Sequence, residues 1–471
     1  MTAGLALALA VQLAQAPPRD TLAYAVALSF AGRSLSVEAR HTNASGAPLT
    51  LAAPPAAPRA GTTVAGIGAT DDRGVPLPLT RNGRTYRVEP RGPGPIRFRY
   101  RLTIRDPVAQ GSTGAGFDST RFYAVSAGIF VAPDPTALRK SGTAYPVTRI
   151  GVIAPPGWHV VTGYPRQGEL YAPDGGDELL GATVAAAPDF RVYRDSAAGA
   201  AFTVAIRGRR YFSDSALTAV VRASLHKSTE ALGPPPVARI TYTSDMGRKG
   251  RTSGSLQGAG SIGLMWEPGE LLERARTHDT FHETLHLWFG GAMETERWWT
   301  EGVTDYFAAR LYASWYGDPA ELAALCFESY YHYLNIDHHA RLTMAQETRQ
   351  AMGGDNTELL VYRKGMLAGL LLDAAIRRGT DGRASLDSVA RRVLDLARDR
   401  RSRAVREAEL RDAVREIGGA SAGRVWDRVV AGTAPLEIND ISAALQTVTG
   451  RSFAAPERPK RRKTFDDARG G

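Results

Sequence analysis

The segment HDTFHETLHLWFGG begins at His278 and carries two histidines four residues apart, His282 and His286, with Glu283 directly after the first. On a helix, residues at i and i+4 project from one face, one turn apart. Two imidazoles so placed can supply two of the nitrogen ligands that zinc takes at about 2.0–2.1 Å in a tetrahedral set. Glu283, next to the first histidine, would lean over a coordination position left open and take a proton from a water there. The same pattern also suits a surface helix with two unrelated histidines, so the rest of the chain has to decide.

A catalytic zinc site needs a third protein ligand, and His-His-Glu is one of the established sets. The run RWWTEGVTDYFAARLYASW opens a second helix, with Glu301 in its first turn and Asp305 one turn later. Glu301 is expected to complete the site for one zinc ion. Asp305 is expected to accept the second ring N–H of a ligand histidine and so fix its tautomer. Both would serve equally as ordinary acidic residues near a positive helix N-terminus. Tyr362, beside Lys364 and Gly365 in ELLVYRKGMLAGLLLDAAIRR, could bring a hydroxyl to an oxyanion from a third element. Without further help this signal is weak, since most tyrosines in such a place are packing residues.

These groups need a scaffold, and the chain changes texture in the way such a scaffold requires. With 471 residues it exceeds one ordinary core. Gly and Pro, 49 and 28 in number, concentrate in the first half, which favours short strands and turns there. LAYAVALSF, SLSVEARH, RTYRVEP, IRFRYRLTI, RFYAVSAGIFV and FTVAIRG read as strands, and PIRFRYRLTI alternates as a half-buried strand should. After residue 215 come a helical segment, SALTAVVRASLHKSTEAL, and two strands, ARITYTS and SIGLMW. Helical segments follow near 270–290, 299–317, 319–335, 358–379, 384–400, 405–417 and 421–432. The expected fold class is multi-domain α+β, with an N-terminal β-sandwich or curved sheet over 17–210 and a metal-bearing domain over 211–345. A helical domain follows over 346–455, then a disordered basic tail over 456–471.

Together, HETLHLWF, WWTEGVTDYF and VYRKGMLAGLLLD resemble the gluzincin zinc metallopeptidases. The resemblance is nearest to the glycyl-aminopeptidase branch, with the alanyl-aminopeptidase and leukotriene-hydrolase branch as a relative. It spans residues 180 to 400 by motif, and the β region only by type. It implies a β domain, a thermolysin-like catalytic domain and a helical domain, in that order. It also implies zinc on His282, His286 and Glu301, Glu283 as general base, and Tyr362 as the oxyanion-stabilising hydroxyl. The implied activity is aminopeptidase-like hydrolysis of peptides.

Three departures bear on that implication. The stretch from His286 to Glu301 is shorter than the family usually shows, which leaves Glu294 and Glu296 as other candidates for the third ligand. The family's substrate-cradling motif is represented by GSLQGAGS, placing Gln257, Gly258 and Ser261 at the substrate. Where the family has a glutamate for the substrate's free amine, Gln257 offers a neutral amide without the charge-assisted bond an ammonium rewards. An endopeptidase-like offshoot, or a zinc-containing peptide-binding protein with weak catalysis, is the alternative. The chain after the last helices also leaves no room for the PDZ domain that many relatives carry.

Other features read as structural. The net charge of +10 comes from scattered arginines, with one compact basic run at Arg458–Lys463. A solvated surface accounts for it better than nucleic acid does. Cys326, the lone cysteine, reads as a buried thiol. His338 and His339 are adjacent and point about 100° apart on a helix. His278 shares the His282 face, and Trp298 and Trp299 suit a wall or core. An apolar run from Leu5 ends in Ala14-Gln15-Ala16, which has the form of a signal-peptidase site. Residues 1–16 are therefore expected to direct export, to the periplasm or beyond. No other apolar stretch is long enough to span a bilayer.

Overall fold

The computed structural model describes residues 20–29, 32–52, 62–104, 115–246, 253–258, 260–266, 271–336, 341–351, 357–400 and 403–458. The expected signal segment and the pair His338 and His339 lie outside them. The chain divides into two compact units: one runs through Thr218 and takes in Val237–Leu271, and the other joins Ala219–Pro236 to the chain after Leu272. This differs from the division expected above, because the strands after residue 237 pack with the N-terminal β region.

In the first unit the alternating segments form a seven-stranded sheet. Its strands are β1 (Thr21–Ser29), β2 (Ser34–Asn43), β3 (Thr62–Thr70), β4 (Gly94–Ile104), β5 (Val147–Ile153), β6 (Arg166–Gln167) and β7 (Leu170–Tyr171). They lie in the order β6-β7-β5-β1-β2-β4-β3. In β4 the period-two pattern becomes physical: Ile96, Phe98, Tyr100, Leu102 and Ile104 are buried while arginines alternate with them. Two four-stranded sheets of shorter strands share the same apolar core, which includes Phe117, Phe122 and Phe130. Two buried tyrosines of this core keep their hydroxyls bonded, Tyr24 to the Val131 carbonyl at 2.8 Å and Tyr100 to the Ile129 carbonyl at 3.0 Å.

A five-stranded sheet completes this unit: β8 (Arg191–Ala197), β9 (Ala200–Ile206), β10 (Arg239–Met246), β11 (Ser253–Gly258) and β12 (Ser261–Trp266), in the order β8-β9-β10-β12-β11. Strands β9, β10 and β12 run parallel, and β11 returns antiparallel at the edge. Parallel neighbours need a crossover, and the chain between β9 and β10 holds helix α1 (Asp214–Leu232).

The second unit is helical. It takes in most of α1 and holds α2 (Arg274–Leu285), α3 (Thr304–Tyr316), α4 (Pro319–Leu334), α5 (Met344–Ala351), α6 (Thr357–Gly379), α7 (Leu386–Arg398), α8 (Glu407–Val429) and α9 (Ile438–Thr449). Helix α6 is apolar on nearly every side, as a helix surrounded by others must be. It packs against α3, α4, α5, α7, α8 and α9. Helix α8 breaks at Gly419, whose φ of 66° is left-handed, and this gives the two helical halves expected near 405–417 and 421–432. Residues to 458 are held, although the tail was expected to be free from 456. Tyr331 donates to the Pro456 carbonyl, and Arg458 donates to the Asn335 side chain at 2.7 Å. Among the described residues no helix is long and apolar enough to cross a membrane.

Candidate metal centre

Helix α2 ends on the chemistry. His282 and Glu283 stand in its last turn, and His286 is the capping residue just past Leu285. The chain then reverses at once. Gly290 takes a φ of 104°, and its N–H bonds the Met293 carbonyl at 2.8 Å. A side chain at Gly290 would be strained there and would press on Thr300 at 3.3 Å. The reversal carries the Phe289 carbonyl back to 2.9 Å from His286 Nδ1.

The next piece of scaffold is a π-helical turn, Trp298–Val303, that runs directly into α3. Such turns are rare and recur at functional sites. This one holds Glu301. Trp298 and Trp299 are fully buried, and Trp298 packs edge-on to Trp426 at 5.6 Å, so the two indoles fill core. Glu294, the exposed alternative for third ligand, is tied by its backbone to Arg403 and Val405. Glu296 faces Glu407, whose pKa it helps to raise after burial. Neither joins the cluster.

The cluster consists of His282, His286 and Glu301, whose ligand atoms all lie within 4.8 Å of one another. The two Nε2 atoms are 2.9 Å apart, and Glu301 Oε2 is 3.6 Å from the first and 3.5 Å from the second. A tetrahedral ion with bonds of about 2.0–2.2 Å spaces its ligand atoms by about 3.3–3.6 Å. The outer nitrogens fix the tautomers. His286 Nδ1 faces a carbonyl, so it carries the proton, and His282 Nδ1 lies 2.8 Å from Asp305 Oδ1. Both Nε2 atoms then turn lone pairs toward each other, which only a cation or an extra proton between them can relieve. The residues fit a zinc ion: two neutral imidazoles and a carboxylate, with the ring orientations set from outside.

The charges agree. Burial opposes ionisation of His282, yet Asp305, Glu301 and Glu283 push its pKa well above the ordinary value. Burial would raise Glu301 and Asp305, but the histidines hold both below the usual carboxylate range. Glu283 goes the other way: burial raises its pKa, and Glu301 and Asp279 add to this against the pull of the histidines. Its Oε2 is buried with no hydrogen-bond partner. His278 backs the cluster, with Nε2 3.3 Å from the Asp305 carbonyl.

Tyr362 approaches from α6. Its ring lies 6.1 Å from that of His282, and burial, a hydrogen bond to Glu301 and the charge of Asp305 hold its hydroxyl protonated far above the ordinary range. A close backbone crossing brings it there. A Cβ on Gly365 would meet the Trp298 carbonyl at 2.7 Å and Gly302 Cα at 2.8 Å. Only glycines at both positions let α6 lie so near the turn that carries Glu301.

The residues expected at a substrate belong to the other unit. Gln257 and Gly258 lie at the end of β11, the edge strand, where the register slips at Gly258 with φ 102°. Ser261 is fully buried, and its hydroxyl accepts the Thr183 N–H at 3.1 Å. That hydrogen bond links two neighbouring sheets of the β-rich unit. Cys326 is buried, and burial raises its thiol pKa, which leaves it inert. Sequence reasoning did not include the π turn or the Gly302–Gly365 crossing; the paired glycines beside Glu301 and Tyr362 were the available signal.

No protein-family model and no curated protein matches the sequence. Solved structures do match. An aminopeptidase N family protein from Idiomarina loihiensis aligns with a TM-score of 0.76 at 16% identity, over 89% of this chain and 78% of that one. The M1 zinc metallopeptidase of Deinococcus radiodurans aligns with a TM-score of 0.57 at 15% identity, over 89% of this chain and 95% of that one. A point mutant of the latter, bound to a Tyr-Ser-Ala substrate, aligns with a TM-score of 0.56 at 15% identity over 88% and 94%. The chain has the multi-domain fold of the M1 zinc metallopeptidases.

Proposed function

We propose that this chain is a zinc-dependent peptidase, aminopeptidase-like, with His282, His286 and Glu301 as metal ligands and Glu283 as general base. One observation carries the reading: two imidazole Nε2 atoms 2.9 Å apart and a carboxylate oxygen 3.5 Å from one of them cluster together, and Glu283, whose Oε2 has no hydrogen-bond partner, directly follows His282. A zinc ion held there would polarise the scissile carbonyl and make the attacking water more acidic.

The remaining roles fall to the chain's own side chains. Glu283, made more basic by burial, takes the proton from the attacking water and hands it to the leaving amine. Tyr362, held protonated, donates to the oxygen on which charge develops. Asp305 holds His282 in the tautomer that offers Nε2. Gln257 and Gly258, at the end of the edge strand, are assigned to substrate binding. The solved relative with its bound Tyr-Ser-Ala supports a peptide substrate.

Zinc-loaded protein should cut fluorogenic peptides, and a chelator should abolish the cleavage. Free and acetylated N-termini compared side by side separate the two modes. Cleavage of free termini alone supports the aminopeptidase. Equal cleavage of both marks an endopeptidase-like enzyme, the reading favoured by the neutral Gln257. Tight peptide binding without cleavage would contradict the catalytic proposal.

A further inference from the structure

Two residues beyond Tyr362, a charged pair is sealed inside the helical unit. Lys364 of α6 and Glu347 of α5 meet at 2.7 Å, with side chains 1% and 0% exposed. Lys364 Nζ also donates to the Leu342 carbonyl at 2.8 Å, just before α5. Glu347 Oε2 is buried with no partner. Helix α5 packs against both α6 and the π turn that carries Glu301. An apolar pair of similar volume would commonly be as stable or more so, because burying two charges costs much of what their attraction returns. The pair does supply direction: one ammonium is bonded to a side chain and a carbonyl on the neighbouring segment, which fixes how α6 is rotated beside the Gly365 crossing.

We infer that Glu347, through Lys364, is a positioning residue for Tyr362, holding the start of α6 so that the tyrosine hydroxyl meets the Glu301 side of the metal centre. The inference rests on the peptidase reading above. The titratable groups facing Glu347 are the charged Lys364 from α6 and, more weakly, the neutral Tyr333 from α4, whose pKa Glu347 helps to raise after burial. Burial lifts the Glu347 pKa from its ordinary 4.5 to about 7, against the pull of Lys364. A carboxyl raised on folding stabilises the fold fully below its unfolded value, and that contribution is lost as pH rises to the folded value. The ionised pair is thus kept at a cost in stability near and above neutrality.

The test is Glu347→Gln, made in the wild type and in a Tyr362→Phe background, with kcat, KM and zinc content measured at pH 8. In the wild type we expect kcat to fall roughly 10- to 100-fold, as for a misplaced catalytic group, with KM and zinc content held. In the Tyr362→Phe background the same change should cost less than about twofold, because the residue it positions is already gone. Equal losses in both backgrounds, or no loss in either, overturn the inference. If Glu347→Gln fails to fold, the double variant Glu347→Leu with Lys364→Met is put through the same cycle. Wild-type protein that cuts no peptide sinks the proposed function and this inference with it. Thermal melts still read the pair in that case: between pH 4.5 and 7 the wild-type Tm should decline relative to Glu347→Gln. Parallel melts would show that Glu347 is not the buried acid described.

Discussion

A single imidazole shows how closely the chemistry is specified. Glu301 stands 3.6 Å from His282 Nε2 and Asp305 2.8 Å from its Nδ1, so residues one helical turn apart address the two nitrogens of one ring. Asp305→Asn removes the charge that orients this ring. It should weaken zinc binding about 10- to 100-fold while leaving the helices intact, as read by competition with a zinc chelator and by circular dichroism. Unchanged affinity would mean that Asp305 is merely a buried acid. As the proposed base, Glu283 must be ionised to accept a proton, and burial raises its pKa, so activity should disappear as pH falls through a value above the ordinary one for a glutamate. A profile that stays flat down to pH 4.5 would argue against Glu283 as the base. At this scale the sequence was readable, because HETLH and TEGVTD have chemical meaning in their spacing. The hydrogen bond from the Thr183 N–H to the Ser261 hydroxyl was not, since it joins residues 78 apart in the chain.

At the scale of elements, placement depends on backbone approach. Gly302 and Gly365 bring the π turn and α6 together, and a methyl group on Gly365 would sit 2.7 Å from the Trp298 carbonyl. Gly365→Ala should therefore cost about 1–3 kcal/mol of stability and lower kcat more than it raises KM, because the crossing sets the Tyr362 reach. Denaturant melts and steady-state kinetics read both; wild-type behaviour in both would remove the crossing from the account. Helices α6 and α7 follow strong apolar periods and were expected within a residue or two, as was the break at Gly419. Helix α9 was missed, because INDISAALQTVT is rich in β-branched residues of low helical preference. Helix α5 was missed because eight residues are too few to show a period. The π turn looks in sequence like the start of α3, since an i→i+5 pattern leaves no signature in residue type.

The chain divides into a β-rich unit and a helical one, with the proposed metal ligands His282, His286 and Glu301 all in the second. Since the ligands come from α2 and from the turn leading into α3, an ion bridging them adds a tie that the unfolded chain lacks. Zinc removal should lower Tm, and zinc at 100 times its dissociation constant should restore about 2.7 kcal/mol. A Tm indifferent to chelation would place the ion, if any, elsewhere. The multi-domain α+β architecture was legible from the change of texture near residue 215. The exchange of strands 239–266 into the β-rich unit was not, because grouping by compactness depends on contacts distant in sequence.

The most direct measurement is a comparison of Glu283→Gln with the wild type, zinc content and peptide turnover being read on the same preparations. One zinc per chain is expected in both, with a loss of turnover of about 100- to 10,000-fold in the variant. Wild-type turnover in a zinc-loaded Glu283→Gln protein would contradict the assignment of Glu283 as the general base, and with it the proposed mechanism.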